Sequence, residues 1–327
     1  MSPKLGAVGA AVPLTGRYAL QGAQMESGLR AWAAWARRDV VIEDDRSCPA
    51  RAASLHSELL DRAAFVVGPY GSDSTRAVAR SAALVWNHGA AADDVQQLDG
   101  VVSLPTPASR YLVALARAVG RIRPGARAVV TSARGPFGSL ARAGLERVVE
   151  SLGLEIVDLT SFADAITSIK RHRPSVVLGC GSFLQEVDLV RSMAASAPDI
   201  LYAGIAPGMA DFARVAEVDP EGMLATVQWH PEATAHSEIG PSGADVADNA
   251  RRPLDYVGAQ VIAAATLAEH CTRLAPHDPY GMARSLKTTT FYGAFELDAE
   301  TGMQIGHELS VIEWRAGRQE LPIDKTG

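Results

Sequence analysis

The feature that most limits how this chain folds is a regular alternation of short apolar runs with amphipathic segments. In residues 22–38, for instance, apolar side chains recur at the three- and four-residue spacing of a helix. The pattern predicts strands over residues 4–12, 40–42 and 64–67, and helices over 22–38, 49–61 and 77–85. Such β-α-β-α-β order is typical of an open parallel sheet with helices on both faces.

The same order begins again after a Pro/Gly-rich break at residues 123–125. It predicts strands over 126–131, 154–159, 175–178 and 200–205, and helices over 140–152, 166–171 and 254–273. In residues 292–314 the pattern predicts two extended segments that form a hairpin-like arrangement around a turn at Thr301 and Gly302. A polar, poorly structured tail is predicted after them. A chain of 327 residues, at roughly 150 per domain, also suggests two domains.

Composition excludes several classes of protein. The chain is 47% hydrophobic and 21% charged, which argues against disorder, and no apolar run approaches the ~20 residues of a spanning helix. The net charge is −6 without a basic block, so no nucleic-acid partner is predicted. Three cysteines far apart, Cys48, Cys180 and Cys271, form neither a disulfide framework nor a metal knuckle.

Few residues suggest catalysis. His230, Glu232 and His236 are a weak metal candidate, because the two histidines are six residues apart across a proline. Cys180 between two glycines is a candidate nucleophile, although a buried structural thiol is the favoured interpretation. The acidic residues 43–45 either hold a cation or cap loops, and capping is favoured. No glycine loop fits a dinucleotide, so no metal and no cofactor are predicted.

The segment GPYGSDST, residues 68–75, is more informative. Here a predicted strand ends in Gly-Pro and small hydroxyl residues open a helix. Free backbone N–H groups and the positive end of the helix dipole favour an anion such as a ligand carboxylate. Simple helix capping by Ser72 or Ser74 explains the same residues equally well.

Five segments together resemble the type I periplasmic solute-binding proteins of the branched-chain amino-acid (Leu/Ile/Val) kind. They are GAAVPLTGRYALQGAQMESGLRAW, VIEDDRSCPARAASLHSELLD, FVVGPYGSDSTRAVA, VVTSARGPFGSLARAGLE and YGAFELDAETGMQIGHELSVIEWRAGR. They are spread along nearly the whole chain, in the order of the family.

The resemblance implies an α/β protein of two Rossmann-like lobes, joined by three crossings, that closes on a small-molecule ligand in a cleft at the hinge. Lobe I is expected to comprise residues 1–119 and about 240–303, and lobe II residues 120–239 and about 304–327. It implies no chemistry: such proteins deliver a ligand to the membrane subunits of an ABC transporter. A cytoplasmic amide-type sensor of the same fold is the alternative, and an enzyme with Cys180 or His230 in the cleft is less favoured.

The resemblance also implies which residues contact the ligand. Ser72 would hold the ligand carboxylate, and the loop around residues 87–91 would complete that grip. In lobe II, Phe137 would cover the ligand. The full set of expected contacts is Tyr18, Gln21, Tyr70, Gly71, Ser72, His88, Gly89, Ala90, Ala91, Phe137, Ser182, Phe183 and Ala206.

Two of these positions depart from the amino-acid binders of the family. Those proteins usually carry a threonine where this chain has Ala91, and an acidic partner for the ligand ammonium where it has Ala206. A buried ammonium without a counter-charge is unfavourable. The predicted ligand is therefore not a zwitterionic amino acid but a neutral or anionic molecule, with aromatic and amide-like compounds as candidates.

Location and assembly are less constrained. The first residues, MSPKLGAVGAAVPLTG, lack the longer apolar region of a secretory signal. The chain is expected on the extracellular or periplasmic side of the membrane if a signal peptide has been removed, and in the cytoplasm if the chain is complete. No oligomeric state is predicted.

Overall fold

A computed structural model describes residues 6–81, 84–233 and 235–321. The chain divides into two compact units, and it passes from one to the other three times. The first unit comprises Met1–Pro107 and Ala233–Glu308, and the second comprises Ala108–Glu232 and Leu309–Gly327. None of the helices within the described residues is long and apolar enough to cross a membrane.

The first unit begins with nine alternating elements. They are β1 (Val8–Val12), α1 (Ala19–Ala36), β2 (Val40–Asp44), α2 (Pro49–Leu60), β3 (Phe65–Val67), α3 (Ser72–Ala79), β4 (Val85–Asn87), α4 (Asp93–Gln96) and β5 (Val101–Ser103). The strands form one parallel sheet in the order β2-β1-β3-β4-β5. The carboxyl ends of all five strands therefore lie at one edge, where a parallel α/β sheet normally binds its ligand.

The second unit continues the alternation over ten elements. They are α5 (Tyr111–Ile122), β6 (Arg127–Ser132), α6 (Pro136–Glu146), β7 (Glu155–Ser161), α7 (Ala165–His172), β8 (Val176–Cys180), α8 (Phe183–Ser196), β9 (Leu201–Gly204), α9 (Phe212–Ala216) and β10 (Leu224–Val227). Its five strands β6 to β10 are parallel. They too bring their carboxyl ends to one edge.

The chain then completes both units. In the first unit it adds α10 (Gly243–Asn249), α11 (Tyr256–Leu274), α12 (Pro279–Ser285), β11 (Thr288–Thr290) and β12 (Gly293–Phe295). In the second it adds β13 (Ser310–Arg315) and β14 (Arg318–Glu320), which extend the sheet to the order β14-β13-β10-β9-β8-β6-β7. The α/β class predicted from the alternation is confirmed: each unit has a sheet with five parallel strands, and in the second unit β13 and β14 extend it with antiparallel strands.

The core of the first unit depends on a close crossing of α1 and α11. Gly28 of α1 lies so near the backbone of Gly258 that a Cβ at position 28 would be 2.4 Å from the Gly258 carbonyl oxygen. Trp32, one turn further on, is buried and meets Phe65 of β3 edge to face. Small residues at the crossing thus allow the larger ones beside it to pack on the sheet.

Two predicted elements are wrong. The helix predicted over residues 77–85 starts earlier, as α3, and residues 85–87 form β4, because Val85 and Trp86 pair with β5. The hairpin predicted within residues 292–314 does not form as such: β12 pairs with β11, whereas β13 pairs with β10 and β14. One antiparallel bridge, Leu297 to Gln304, is the remnant of it.

The polar tail also differs in part from its prediction. Residues 318–320 form β14 after a turn at Ala316 and Gly317, and residues 322–327 lie outside the described part of the chain. The first passage between units falls after Pro107, earlier than the predicted residue 119, because α5 packs against α6, β8 and β10. The later passages fall after residues 232 and 308, compared with the predicted 239 and 303.

Candidate functional site

In the first unit, the start of α3 is the most distinctive feature of the carboxyl edge. The N-cap residue, Gly71, has φ 90° and ψ 145°, which a side chain would strongly disfavour. Because glycine has no side chain, it provides no cap for the first N–H groups of α3. The helix therefore begins at Ser72 with uncapped backbone donors and the positive end of its dipole at the carboxyl edge of the sheet.

A second loop, residues 87–91 after β4, lies against the first. The Gly71 N–H donates to the Gly89 carbonyl at 3.2 Å, which ties the two loops together. Asn87 shapes the second loop: its side-chain oxygen accepts from the N–H groups of Gly89 and Ala90 at 3.2 and 2.8 Å. Its amide nitrogen donates to the Ala90 carbonyl and to Ser103, both at 2.8 Å. Asn87 was predicted as the first residue of this loop but not as a ligand contact, and the structure shows that it orders the loop that carries four of the predicted contacts.

Three rings border these loops. Tyr18 and Tyr70 meet edge to face with centroids 5.3 Å apart, and the imidazole of His88 lies 6.3 Å from the Tyr70 ring. His88 is fully buried, neither ring nitrogen has a hydrogen-bond partner among the described residues, and burial lowers its pKa to about 3. The imidazole is therefore neutral at ordinary pH.

Tyr70 has little freedom to move toward the second loop. A Cβ at Gly89 would be 2.3 Å from Cδ2 of Tyr70, so the ring lies directly on the glycine backbone. The aromatic surface of this edge thus depends on the absence of a side chain at position 89.

Tyr18 is held by the loop that follows β2. The Ser47 hydroxyl accepts from the Tyr18 N–H at 3.1 Å and donates to the Thr15 carbonyl at 2.8 Å. Asp44 accepts from the Thr15 hydroxyl at 2.7 Å and from the Arg46 N–H at 2.9 Å. The acidic residues 43–45 therefore include the loop caps that the sequence favours. Gln21 is buried in the first turn of α1, three residues after Tyr18.

In the second unit, Phe137 is half-buried in the first turn of α6 and meets Tyr111 edge to face, with centroids 5.6 Å apart. Tyr111 accepts a hydrogen bond from the side chain of Gln228, and burial raises the pKa of its phenol. Tyr111 and Gln228 were missed from sequence because their elements, α5 and the end of β10, are far apart along the chain.

The other predicted contacts of the second unit lie on the loops after β8 and β9. Ser182 caps α8 in a reciprocal capping box with Gln185, so its hydroxyl already accepts a backbone N–H. Phe183, the next residue, is half-buried, and Ala206 is 2% exposed. The N–H groups of Ile205 and Ala206 both donate to the carboxylate of Glu186, at 2.9 Å each.

The candidate catalytic groups of the second unit, Cys180 and His230, are both buried. The thiol of Cys180 is fully buried, and burial raises its pKa well above the usual value, the opposite of what a nucleophile requires. His230 accepts the Glu232 N–H at 3.3 Å through Nδ1. No group of three His, Cys, Asp or Glu residues is placed to hold a metal ion within the described ranges.

Solved structures share this fold at low sequence identity. A solute-binding protein of an ABC transporter from R. palustris, in complex with 4-hydroxybenzoate, has a TM-score of 0.80 and 16% identity over 96% of this chain and 95% of its own. A second R. palustris protein, in complex with benzoate, has a TM-score of 0.77 and 17% identity over 97% and 95%. A branched-chain amino acid substrate-binding protein from Streptococcus pneumoniae, in complex with isoleucine, has a TM-score of 0.83 and 16% identity over 97% and 98%.

At such identities the structural likeness establishes the fold alone. No curated protein sequence matches the chain significantly. The sequence model of one family, described as periplasmic binding protein, matches residues 7–319, which is nearly the full length. The chain therefore belongs to the periplasmic binding protein family.

Proposed function

We propose that this protein is the solute-binding component of an ABC uptake system and that its ligand is an aromatic carboxylate without an ammonium group. The uncapped start of α3, beside the Ala90–Ala91 loop, is the observation that carries this proposal. Three features support it in turn: donors for a carboxylate, rings for an aromatic body, and an alanine, Ala206, where the resemblance places the acidic partner of an ammonium.

The carboxylate would lie against the N–H groups of α3 and the hydroxyl of Ser72. A helix N-terminus favours an anion through its free N–H groups and its dipole. The Ala90 N–H is already bonded to Asn87, whereas the Ala91 N–H donates to no group within the described residues. Ala91 therefore provides a further backbone donor without the threonine hydroxyl of the amino-acid binders.

The body of the ligand would contact Tyr18 and Tyr70. Aromatic rings favour edge-to-face or offset packing with other rings, beyond the gain from buried area. Two of the structural neighbours hold benzoate-type acids. The neutral imidazole of His88, 6.3 Å from the Tyr70 ring, adds no positive charge to this site.

An amino-acid ligand would also bring an ammonium group that needs a counter-charge. The position that the resemblance gives to this partner is Ala206, which has only a methyl group. Glu186, the carboxylate bonded to the Ala206 N–H, is fully buried and accepts four hydrogen bonds. It is therefore unavailable to a ligand cation.

The proposal extends to partners and location. The membrane subunits of an ABC transporter would receive the ligand, and the protein would act on the outer side of the cytoplasmic membrane. It would catalyse no reaction, in keeping with the buried, protonated Cys180. Phe137, Ser182 and Phe183 stay predicted ligand contacts of the second unit.

Calorimetric titration tests the ligand class directly. Benzoate and 4-hydroxybenzoate are expected to bind with micromolar or tighter Kd, and leucine is expected to give no measurable heat of binding, because its ammonium would be left without a counter-charge. Benzamide is the control that keeps the ring and removes the negative charge. Micromolar binding of leucine, or a preference for benzamide over benzoate, would contradict the proposal.

Replacing Ser72 with alanine tests the carboxylate position. Loss of one hydrogen bond to a charged group is expected to weaken benzoate binding by about 1.5–3 kcal/mol, which is about 10- to 150-fold in Kd. Ser57→Ala on the exposed face of α2 is the matched control and should bind as the wild type does. Equal affinity of the Ser72 and Ser57 variants would show that the carboxylate binds elsewhere.

A further inference from the structure

The carboxylate of Glu186 joins the two loops of the second unit on which ligand contacts are predicted. Glu186 lies in the first turn of α8, where a helical side chain points back toward the N-terminus. One oxygen accepts the Gly181 N–H at 2.9 Å, in the loop after β8. The other accepts the N–H groups of Ile205 and Ala206, in the loop after β9, at 2.9 Å each.

The residues around the Glu186 carboxylate bind it and leave space for it. The Tyr202 hydroxyl donates to the same Glu186 oxygen at 2.9 Å, and Glu186 is completely inaccessible to solvent. A Cβ at Gly204 would lie 2.3 Å from Oε2 of Glu186, and one at Gly179 would lie 2.1 Å from the Tyr202 hydroxyl. Glycines on two neighbouring strands thus make room for the carboxylate and for the phenol.

We infer that Glu186 is a positioning residue for ligand binding: its ionised carboxylate fixes the loop at Gly181–Ser182 relative to the loop at Ile205–Ala206. This inference rests on the proposed function for its effect on affinity. It goes beyond that function by assigning a role to a residue that would touch no ligand. Because all four partners are positioned to donate, the arrangement suits an ionised carboxylate.

The arrangement also depends on pH. Burial raises the pKa of Glu186 to about 7, against the lowering effect of its hydrogen bonds. The titratable groups that face it are Cys180 at the end of β8 and Tyr202 on β9, and burial keeps both protonated. The loop after β9 faces it with backbone N–H groups. Protonation would turn one carboxylate oxygen of Glu186 from an acceptor into a donor. Because the groups around it also donate, part of the hydrogen bonding between the two loops would be lost.

The test compares the wild type with Glu186→Gln, using Glu150→Gln on the exposed surface of the second unit as the matched control. At pH 8 the Glu186 variant should bind benzoate about tenfold more weakly, the scale of one charge-assisted hydrogen bond. At pH 5.5 its affinity should equal that of the wild type, whose own affinity falls as Glu186 takes up a proton. The control should follow the wild type at both pH values.

Thermal stability gives a second readout, because a purely structural role would change the stability and the affinity in the same direction. A folded pKa raised above the unfolded value means that the native state binds the extra proton, so the wild type loses stability as pH rises through this range. Relative to wild type, the Glu186→Gln variant should therefore gain Tm between pH 5.5 and 8, while its relative affinity falls.

Amide NMR spectra of the ligand-free protein make the inference independent of the ligand. The Gly181, Ile205 and Ala206 amide shifts should titrate with an apparent pKa near 7 in the wild type and in Glu150→Gln, and stay constant in Glu186→Gln. Amide shifts that do not titrate in the wild type, or that still titrate with an apparent pKa near 7 in Glu186→Gln, would overturn the positioning role. Titrating amides together with no binding of any carboxylate would retain the role and refute the proposed function.

Discussion

Alanine at position 89 should weaken benzoate binding by about 2 kcal/mol, or about 30-fold in Kd. The physical reason is steric, because the new methyl group would lie 2.3 Å from Cδ2 of Tyr70 and force the ring away from the loop. Displacing the ring removes an aromatic surface from the proposed ligand edge and disturbs its contact with Tyr18. Overpacking should also lower stability by about 1–3 kcal/mol.

A double-mutant cycle with Tyr70→Ala separates this mechanism from a general disturbance of the loop. If the methyl group acts through the ring, Gly89→Ala should cost much less stability when Tyr70 is already alanine, because nothing remains to be displaced. Calorimetry and thermal melts of the four proteins measure both effects. Equal stability losses in the presence and absence of the Tyr70 ring would show that the clash is not with Tyr70.

The alternation of apolar and amphipathic segments was enough to predict the α/β class, because buried parallel strands and their covering helices have different periodicities. It failed where elements were short. Residues 85–87 form a three-residue strand whose apolar letters also extend a helical pattern, so the pattern could not separate α3 from β4. It failed again at residues 292–314, since two extended runs adjacent in sequence pair with strands of different sheets.

The residues of the candidate site also divide into those that could be predicted from the sequence and those that could not. The Gly71–Ser72 loop could be found from sequence, because a glycine before small hydroxyl residues at a helix start has a local physical meaning. Asn87 and Ser47 act on neighbouring backbone, but only the folded loops show which N–H groups they bind. Glu186 could not be recognised, because an acidic residue near a helix start ordinarily faces solvent. Its burial follows from glycines on strands elsewhere in the chain.

The sequence around Ser182 also contains a pattern that predicts a helix cap instead of a ligand contact. Serine followed three residues later by glutamine is a capping-box pattern, and the structure contains that box at the start of α8. The resemblance to solute-binding proteins placed a ligand contact at the same residue. A serine that caps a helix can still border a ligand through its backbone, so the two interpretations differ in the atom involved and not in the position.

The substitution Gly28→Val should destabilise the protein strongly. It should lower the free energy of unfolding by about 3 kcal/mol or more and Tm by about 10 °C. A Cβ there would lie 2.4 Å from the Gly258 carbonyl oxygen and 2.9 Å from the Val261 side chain. Backbone cannot rotate away as a side chain can, so α1 and α11 would have to separate. Ala34→Val, at an exposed position of the same helix, is the control for placing a β-branched side chain in α1 and should cost about 0.5 kcal/mol. Similar melting temperatures for the two variants would show that the helices are not in backbone contact at Gly28.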